Sequence, residues 1–179
     1  MDRKNLIQGM GILCYLLMVV PAGLAADFKG EVIRVLDGDT IEVLHEKKPE
    51  RIRLYGIDCP EKGQAFGQKA KQATSSLLFG KDVRIESHGR DKHRRTLGTV
   101  FDGDPNVNRE LVKEGWCWWF RKFVPKDAVL KQLEQEAKDA KKGLWADPNA
   151  VPPWLFGAWM LAPLGASMKI ACAIWSGMR

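Results

Sequence analysis

The middle of this 179-residue chain contains no methionine, because all six methionines lie within residues 1–18 or 160–178. This change in composition predicts three parts with different chemistry. The chain also lacks internal repeats and low-complexity stretches, and 45% of its residues are apolar against 28% charged. These proportions exclude a disordered or fibrous protein. The formal charge of +6 favours an anionic partner: a nucleic acid, a membrane surface or a phosphate-bearing substrate.

No apolar run near the N-terminus reaches the roughly 20 residues that a membrane-spanning helix needs. Arg3 and Lys4 precede a short apolar run at 12–20, which a proline and several small residues end. This order is typical of a secretory signal peptide, although a buried helix or an uncleaved anchor would also contain such a run. We therefore predict a signal peptide over residues 1–25, removed on export, and a secreted or periplasmic mature protein.

Acidic residues are missing from the Pro/Trp-rich apolar segment 148–179, whose formal charges are Lys169 and Arg179. Pro163 and Lys169 argue against a straight spanning helix. Two interpretations stay open, a C-terminal membrane anchor and an apolar flap or tail. We predict at most a weak membrane association through this tail, and a folded domain over residues 26–147.

Short β-rich runs recur through that domain. The runs at 32–35 and 41–43 flank an Asp-Gly pair, which predicts a β-hairpin. Further strands are predicted at 51–57, 83–86 and 96–101.

Three helices are predicted among these strands. Apolar residues recur every three or four positions from 63 to 79, and a second helix is expected at 109–114 with Asn108 as its N-cap. The third has a stripe at 130, 133, 137 and 140, and we expect Gly143 to end it. The order of elements fits a five-stranded OB-like barrel with three packed helices, a mainly β, α+β class. A split α+β sheet fits the count nearly as well.

Three short polar motifs in the domain include the residues best suited to chemistry. They are Asp37–Thr40 at the hairpin, the segment from Arg53 to Glu61 at a strand end, and Asp91–Gly98 before another strand. Singly, each has an ordinary explanation: a turn, a helix start, a solvated basic loop. Together they supply carboxylates for a hard cation, a further Glu, and arginines from separate segments.

Phosphodiester hydrolysis needs that set of groups. A hard divalent cation binds oxygen ligands and polarises the phosphoryl oxygen, and a carboxylate takes the proton of the attacking water. Arginine suits the charge of the transition state, because its planar guanidinium is always protonated and bonds two oxygens at once.

The motifs, in this order and approximate spacing, resemble those of the staphylococcal nuclease (thermonuclease) family. The segment from Val107 to Gly115 also matches a family helix, and the likeness runs from about Phe28 to Trp145. The resemblance implies an OB-fold barrel with three helices that hydrolyses DNA and RNA using Ca²⁺.

The resemblance also implies a role for particular residues. Asp39 and Asp58 would ligate calcium with the carbonyl of Cys59, and Asp37 and Thr40 would support these ligands. Glu61 would be the general base or the carboxylate that positions water. The groups that would contact substrate are Arg53 and Arg95 at the scissile phosphate, Lys92 and His93 beside the nucleotide, Arg121 at a terminal phosphate and Phe123 stacked on a base.

Several of these positions depart from the best-known member of the family. Cys59 replaces a threonine, which leaves the required backbone carbonyl in place. His93 replaces a tyrosine, and Arg121 and Phe123 replace a pair of tyrosines, so we expect altered base preference and affinity with the catalytic set intact.

The domain has two cysteines, Cys59 and Cys117. In the resembled fold the chain after the second helix runs beside the strand end that carries Cys59, which implies a disulfide; two buried free thiols are the alternative. A zinc site is not expected, because the three histidines lack ligand spacing to either cysteine. At least two of the aromatic residues in 116–120 are predicted to pack in the core.

We therefore predict a secreted or periplasmic Ca²⁺-dependent endonuclease that acts on DNA or RNA as a monomer without a stable protein partner. The alternative is a non-catalytic OB-fold module that binds nucleic acid or protein. The presence of Asp39, Asp58, Glu61, Arg53 and Arg95 together favours the enzyme.

Overall fold

A closed five-stranded β-barrel is the centre of the fold. The computed structural model describes residues 27–160, so the predicted signal peptide and the tail from residue 161 onward lie outside the described residues. Between residues 27 and 160, no helix is long and apolar enough to cross a membrane.

Five strands form the barrel: β1 (Phe28–Asp37), β2 (Thr40–His45), β3 (Lys48–Leu54), β5 (Asp82–Arg90) and β6 (Thr96–Phe101). They close it in the order β1-β2-β3-β6-β5. Strand β3 pairs with β6 in parallel, and the other barrel pairings are antiparallel. The OB-like barrel predicted from the sequence is therefore confirmed, and the split sheet is excluded.

Alternation of buried and partly exposed residues explains why these segments form strands. In β6 the buried positions are Thr96, Gly98 and Val100, and the intervening side chains face outward. A Cβ atom at Gly98 would lie 2.8 Å from methyl groups of both Ile52 and Ile85, so the barrel interior has no room for a side chain there.

A second, two-stranded sheet lies beside the barrel. Its strands are β4 (Ile57–Asp58) and β7 (Trp118–Trp119), which pair antiparallel. Both tryptophans are about 5% exposed, which confirms the prediction that at least two aromatic residues of 116–120 belong to the core.

Within residues 27–160, four α-helices surround the sheets, one more than the resemblance implies. They are α1 (Gly67–Leu78), α2 (Val107–Lys113), α3 (Ala128–Asp139) and α4 (Pro153–Met160). Helix α4 begins at the second proline of the pair at 152–153, because proline is tolerated in the first turn of a helix.

Two predicted helix ends are wrong. The N-cap of α2 is Asn106, whose side chain accepts a hydrogen bond from the amide of Arg109, and Asn108 lies buried inside the helix. Helix α3 ends at Asp139, and Gly143 begins a 3₁₀ helix, Gly143–Ala146. Gly115 and Gly143 both have positive φ, and a Cβ on either would collide with the backbone beside the other, so these loops meet backbone to backbone.

Candidate active site

Arg53 sits between two carboxylates at one end of the barrel. Its guanidinium forms ion pairs with Asp39 and Asp58. The pairing of Thr40 with Arg53 across β2 and β3 places Asp39 beside this arginine, and the turn after β3 returns Asp58 to the same place. The first two motifs of the sequence are thus brought together.

Backbone and hydroxyl donors hold Asp39 in position. Its Oδ2 accepts a 2.7 Å hydrogen bond from the amide of Cys59, and its Oδ1 accepts one of 3.1 Å from the Thr40 hydroxyl. The amide of Asp39 donates in turn to Asp37 Oδ1 at 3.2 Å. Thr40 therefore bonds this carboxylate directly, and Asp37 holds the backbone that carries it.

Asp58 is a buried carboxylate with a raised pKa. Burial is the main cause of the rise above the ordinary value, and the charges of Glu61 and Asp37 add to it. The ion pair and hydrogen bond with Arg53 oppose this shift without cancelling it. A bound cation would favour the ionised form of Asp58, because an opposite charge offsets the cost of burying it.

Glu61 belongs to an exposed loop that follows directly after Asp58. We call residues 59–66 the Glu61 loop. The backbone of Glu61 is held by Gln64, whose amide donates to the Glu61 carbonyl at 2.8 Å and whose side-chain Oε1 accepts from the Glu61 amide at 3.2 Å. The Glu61 side chain is exposed to solvent and close enough to influence the charge state of Asp58.

A cleft of about 500 Å³ opens beside Arg53 and Asp58. It brings the third motif to the first two, because the segment before β6 forms one wall. Of the residues predicted to contact substrate, the lining includes Arg53, Arg95, Lys92, His93 and Phe123. The neighbouring residues that complete it are Arg90, Asp91, Leu97, Phe120 and Lys122.

Asp91 fixes the position of Arg95 in this cleft. Its carboxylate accepts hydrogen bonds from the Arg95 side chain at 2.7 Å and from the amides of Arg95 and His93 at 2.9 and 2.8 Å. Burial alone would raise the pKa of Asp91, but these hydrogen bonds together lower it below the ordinary value. No role was predicted for Asp91 from the sequence; its position four residues before Arg95 was the available signal.

Arg121 is not among the residues that line this cleft, and its contact with a terminal phosphate stays a prediction. Its guanidinium pairs with the buried carboxylate of Glu134 at 2.6 Å and lies over the ring of Trp119. Glu134 also accepts from the Trp119 amide and from Lys138, so the arginine neutralises a buried acid. Lys122, the next residue, does line the cleft.

A disulfide joins Cys59 to Cys117, with their Cα atoms 4.1 Å apart. Cys59 directly follows Asp58, and its amide binds Asp39. Through Cys59, the disulfide therefore connects the surroundings of both Asp39 and Asp58 to the segment after α2.

The donor set of the site suits a hard cation. Among residues 27–160, no three acidic, histidine or cysteine side chains converge as a ready cluster. Asp39 and Asp58 nevertheless offer hard oxygen ligands beside the Cys59 backbone, and oxygen is the ligand type that divalent cations such as calcium prefer. The chemistry of these residues thus fits calcium.

Comparison with known proteins identifies the family. The model of the staphylococcal nuclease homologue family matches residues 51–147, more than half of the chain. Micrococcal nuclease of Shigella flexneri is 44% identical over 158 residues, which cover 83% of this chain and 90% of that protein. Protein ParB of Escherichia coli is 40% identical over 86% of this chain and 93% of its own length. An uncharacterized endonuclease of Escherichia coli O157:H7 is 45% identical over 74% of this chain and 87% of its own length. The chain therefore belongs to the staphylococcal nuclease family.

Proposed function

We propose that this protein is a nuclease that hydrolyses phosphodiester bonds of DNA or RNA with the help of Ca²⁺. One observation carries the proposal: Arg53, held by Asp39 and Asp58, opens onto the same cleft as Arg95, Lys92 and Phe123. Charged donors for a phosphate and a ring for a base are thus combined in one cavity. The names of the relatives, a micrococcal nuclease and endonucleases, support the same reaction.

The two arginines are suited to holding a phosphoryl group while negative charge develops on it. A guanidinium has five N–H donors. Arg53 uses one terminal nitrogen for Asp39 and the other for Asp58, and Arg95 uses Nε and one terminal nitrogen for Asp91. Both retain further N–H groups for phosphate oxygens, already oriented by the carboxylates. Losing one such preorganised donor typically raises a barrier by about 3 kcal/mol.

Glu61 is the carboxylate placed to act on water. Its side chain is exposed beside Asp58, so water reaches it directly. It accepts the proton as the water oxygen forms a bond to phosphorus. The bond from phosphorus to the leaving oxygen breaks, and the resemblance implies that the 3′ end keeps the phosphate. General-base assistance of this kind contributes about 10²–10⁴ to a rate.

Asp39, Asp58 and the carbonyl of Cys59 would hold the calcium ion. A bound divalent cation polarises the phosphoryl oxygen and offsets charge in the transition state. The proposal extends to the surroundings of the enzyme: export through residues 1–25, a monomer in solution, and at most weak membrane association of the tail.

The test is cleavage of single- and double-stranded DNA and RNA by the purified protein, with Ca²⁺ or with a chelator. Wild type should cleave with Ca²⁺ and not with the chelator. The cleavage rate of Glu61→Gln should be lower by about two orders of magnitude or more. Glu136→Gln, the same change at an exposed helical position, is the matched control. Cleavage that ignores the chelator, or an undiminished Glu61→Gln, contradicts the mechanism. Binding without cleavage indicates the non-catalytic module.

A further inference from the structure

A buried glutamine links the Glu61 loop to the C-terminal segment. Gln64 is about 9% exposed, although the residues on both sides of it are open to solvent. Its Oε1 accepts from the amide of Glu61, and its Nε2 donates to the carbonyl of Val151. An N–H on one side and a carbonyl on the other fix the orientation of this amide, because only one of the two flips satisfies both.

The loop depends on Gln64 for its shape. The amide of Gln64 also donates to the Glu61 carbonyl, and the Gln64 carbonyl accepts from Gly67 at the start of α1. Gly67 lies so close to the Glu61 carbonyl that a Cβ there would collide with it. The Glu61 backbone is therefore clamped at its N–H and its carbonyl, with one side chain supplying the first clamp.

We call residues 148–156 the C-terminal strap, the segment that supplies the other end of this link. Aromatic contacts hold it on the domain: the Trp154 ring lies 6.4 Å from that of Trp118 and 5.7 Å from that of Phe120. Val151 and Phe156 line a cavity of about 230 Å³ together with Gln64. The strap thus contacts both the Trp118 strand and the Glu61 loop.

The strap lies outside the part of the chain that the family model describes, which ends at residue 147. Phe120 borders the substrate cleft and also contacts the strap through the ring of Trp154. The strap therefore packs beside the catalytic region, and none of its residues lines the cleft.

We propose that Gln64 is a positioning residue that holds Glu61 where it can take the proton of the attacking water, and that the docked C-terminal strap holds Gln64 in place. This inference rests on the proposed role of Glu61 as the base. Gln64 contacts the backbone of Glu61 and does not line the substrate cleft, so its effect reaches the reaction through the geometry of the loop. Small displacements of a catalytic group are costly, up to about 10²-fold for 1 Å.

The test compares Gln64→Ala and Trp154→Ala in the full chain with wild type, in steady-state cleavage of DNA. Gln64→Ala should lower kcat about 10- to 100-fold while KM changes by less than about twofold, because the phosphate-binding arginines are untouched. Trp154→Ala, which undocks the strap, should lower kcat about 3- to 10-fold. The controls are Gln132→Ala on exposed α3 and Phe79→Ala on the exposed surface, both expected to cleave like wild type.

A double-variant cycle separates positioning from a loss of structure. If Gln64 acts through Glu61, then adding Gln64→Ala or Trp154→Ala to Glu61→Gln should change its residual rate by less than about twofold. An equal fractional loss in both backgrounds would overturn the proposal. So would a wild-type kcat in Gln64→Ala and Trp154→Ala.

Failure of the base assignment is a separate result, because then Glu61→Gln itself cleaves like wild type. If Gln64→Ala does not fold, as judged by its thermal melt, Trp154→Ala decides alone. Trp154→Ala leaves the sequence of the Glu61 loop unchanged. A kcat lowered only when Glu61 is present would support the role of the strap, and a wild-type kcat or an equal fractional loss in both backgrounds would overturn it.

Discussion

Removing the disulfide between Cys59 and Cys117 should cost a large part of the stability of the domain. The bond joins residues separated by 58 positions. Closing a loop of that length removes conformational entropy from the unfolded chain worth about 4 kcal/mol at 25 °C in the chain-entropy account. Such a loss amounts to roughly 15 °C in melting temperature for a domain of this size.

Urea denaturation measures this loss directly. The midpoint of the reduced protein, or of a Cys59→Ala/Cys117→Ala double variant, should fall by about 2 M. The reduced wild type isolates the cross-link, because both sulfur atoms stay in the core, and reductant should leave the double variant unchanged. The reasoning is refuted if oxidised and reduced wild type unfold at the same urea concentration. Equal masses after alkylation, with and without prior reduction, would show that the bond does not form.

Two further predictions concern buried or hydrogen-bonded polar side chains. Asn108→Ala removes the hydrogen-bond partner of the Val100 amide and of the Tyr55 and Gly98 carbonyls, so it should lower the free energy of unfolding by about 3 kcal/mol. The helix-cap variant Asn106→Ala should lower it by about 1 kcal/mol. Similar urea midpoints for the two variants would contradict this prediction. Asp91 has a lowered pKa in the folded state, so its contribution to stability is complete above the unfolded pKa of about 3.9 and disappears as pH falls through the folded value. The melting temperature of Asp91→Asn should therefore lie below that of wild type at pH 6, and the gap should narrow as pH falls below the unfolded pKa of about 3.9. A gap that stays constant with pH would contradict the assignment.

The barrel and the family were predictable because their signals are local. The Asp-Gly turn marks the hairpin, and the motif around Arg53 lies within a few residues of the strand end that it occupies. The strand pairing also explains why Asp39 and Arg53 meet, since their strands are neighbours in sequence. The parallel pairing of β3 with β6 had no such signal, because it joins segments that a helix and a strand separate.

The errors occur where a distant partner decides the role of a residue. Asn106 and Asn108 are both of a residue type that suits a helix N-cap. Asn108 is buried instead, because its side chain donates hydrogen bonds to the carbonyls of Tyr55 and Gly98. Arg121 pairs with Glu134, an acid on α3 that no motif connects to it, so this ion pair was not predictable from the motifs. Helix α4 and its contacts with Trp118 depend on tertiary packing, since the segment is apolar on most sides.

The parallel contact between β3 and β6 also has a consequence for how the protein assembles. Asp39 and Arg53 belong to a three-strand meander whose contacts are short in sequence, whereas Arg53 meets the neighbourhood of Arg95 through its register pair Leu97. Contacts of long sequence separation form slowly, because the chain pays the loop-closure entropy first. Asp39 and Arg53 can therefore meet early, within the N-terminal third of the domain, whereas Arg95 arrives when the barrel closes and Asp58 is fixed when β4 pairs with β7. A chain stalled before those steps would hold Arg53 beside Asp39 and would have no cleft to receive a nucleic acid.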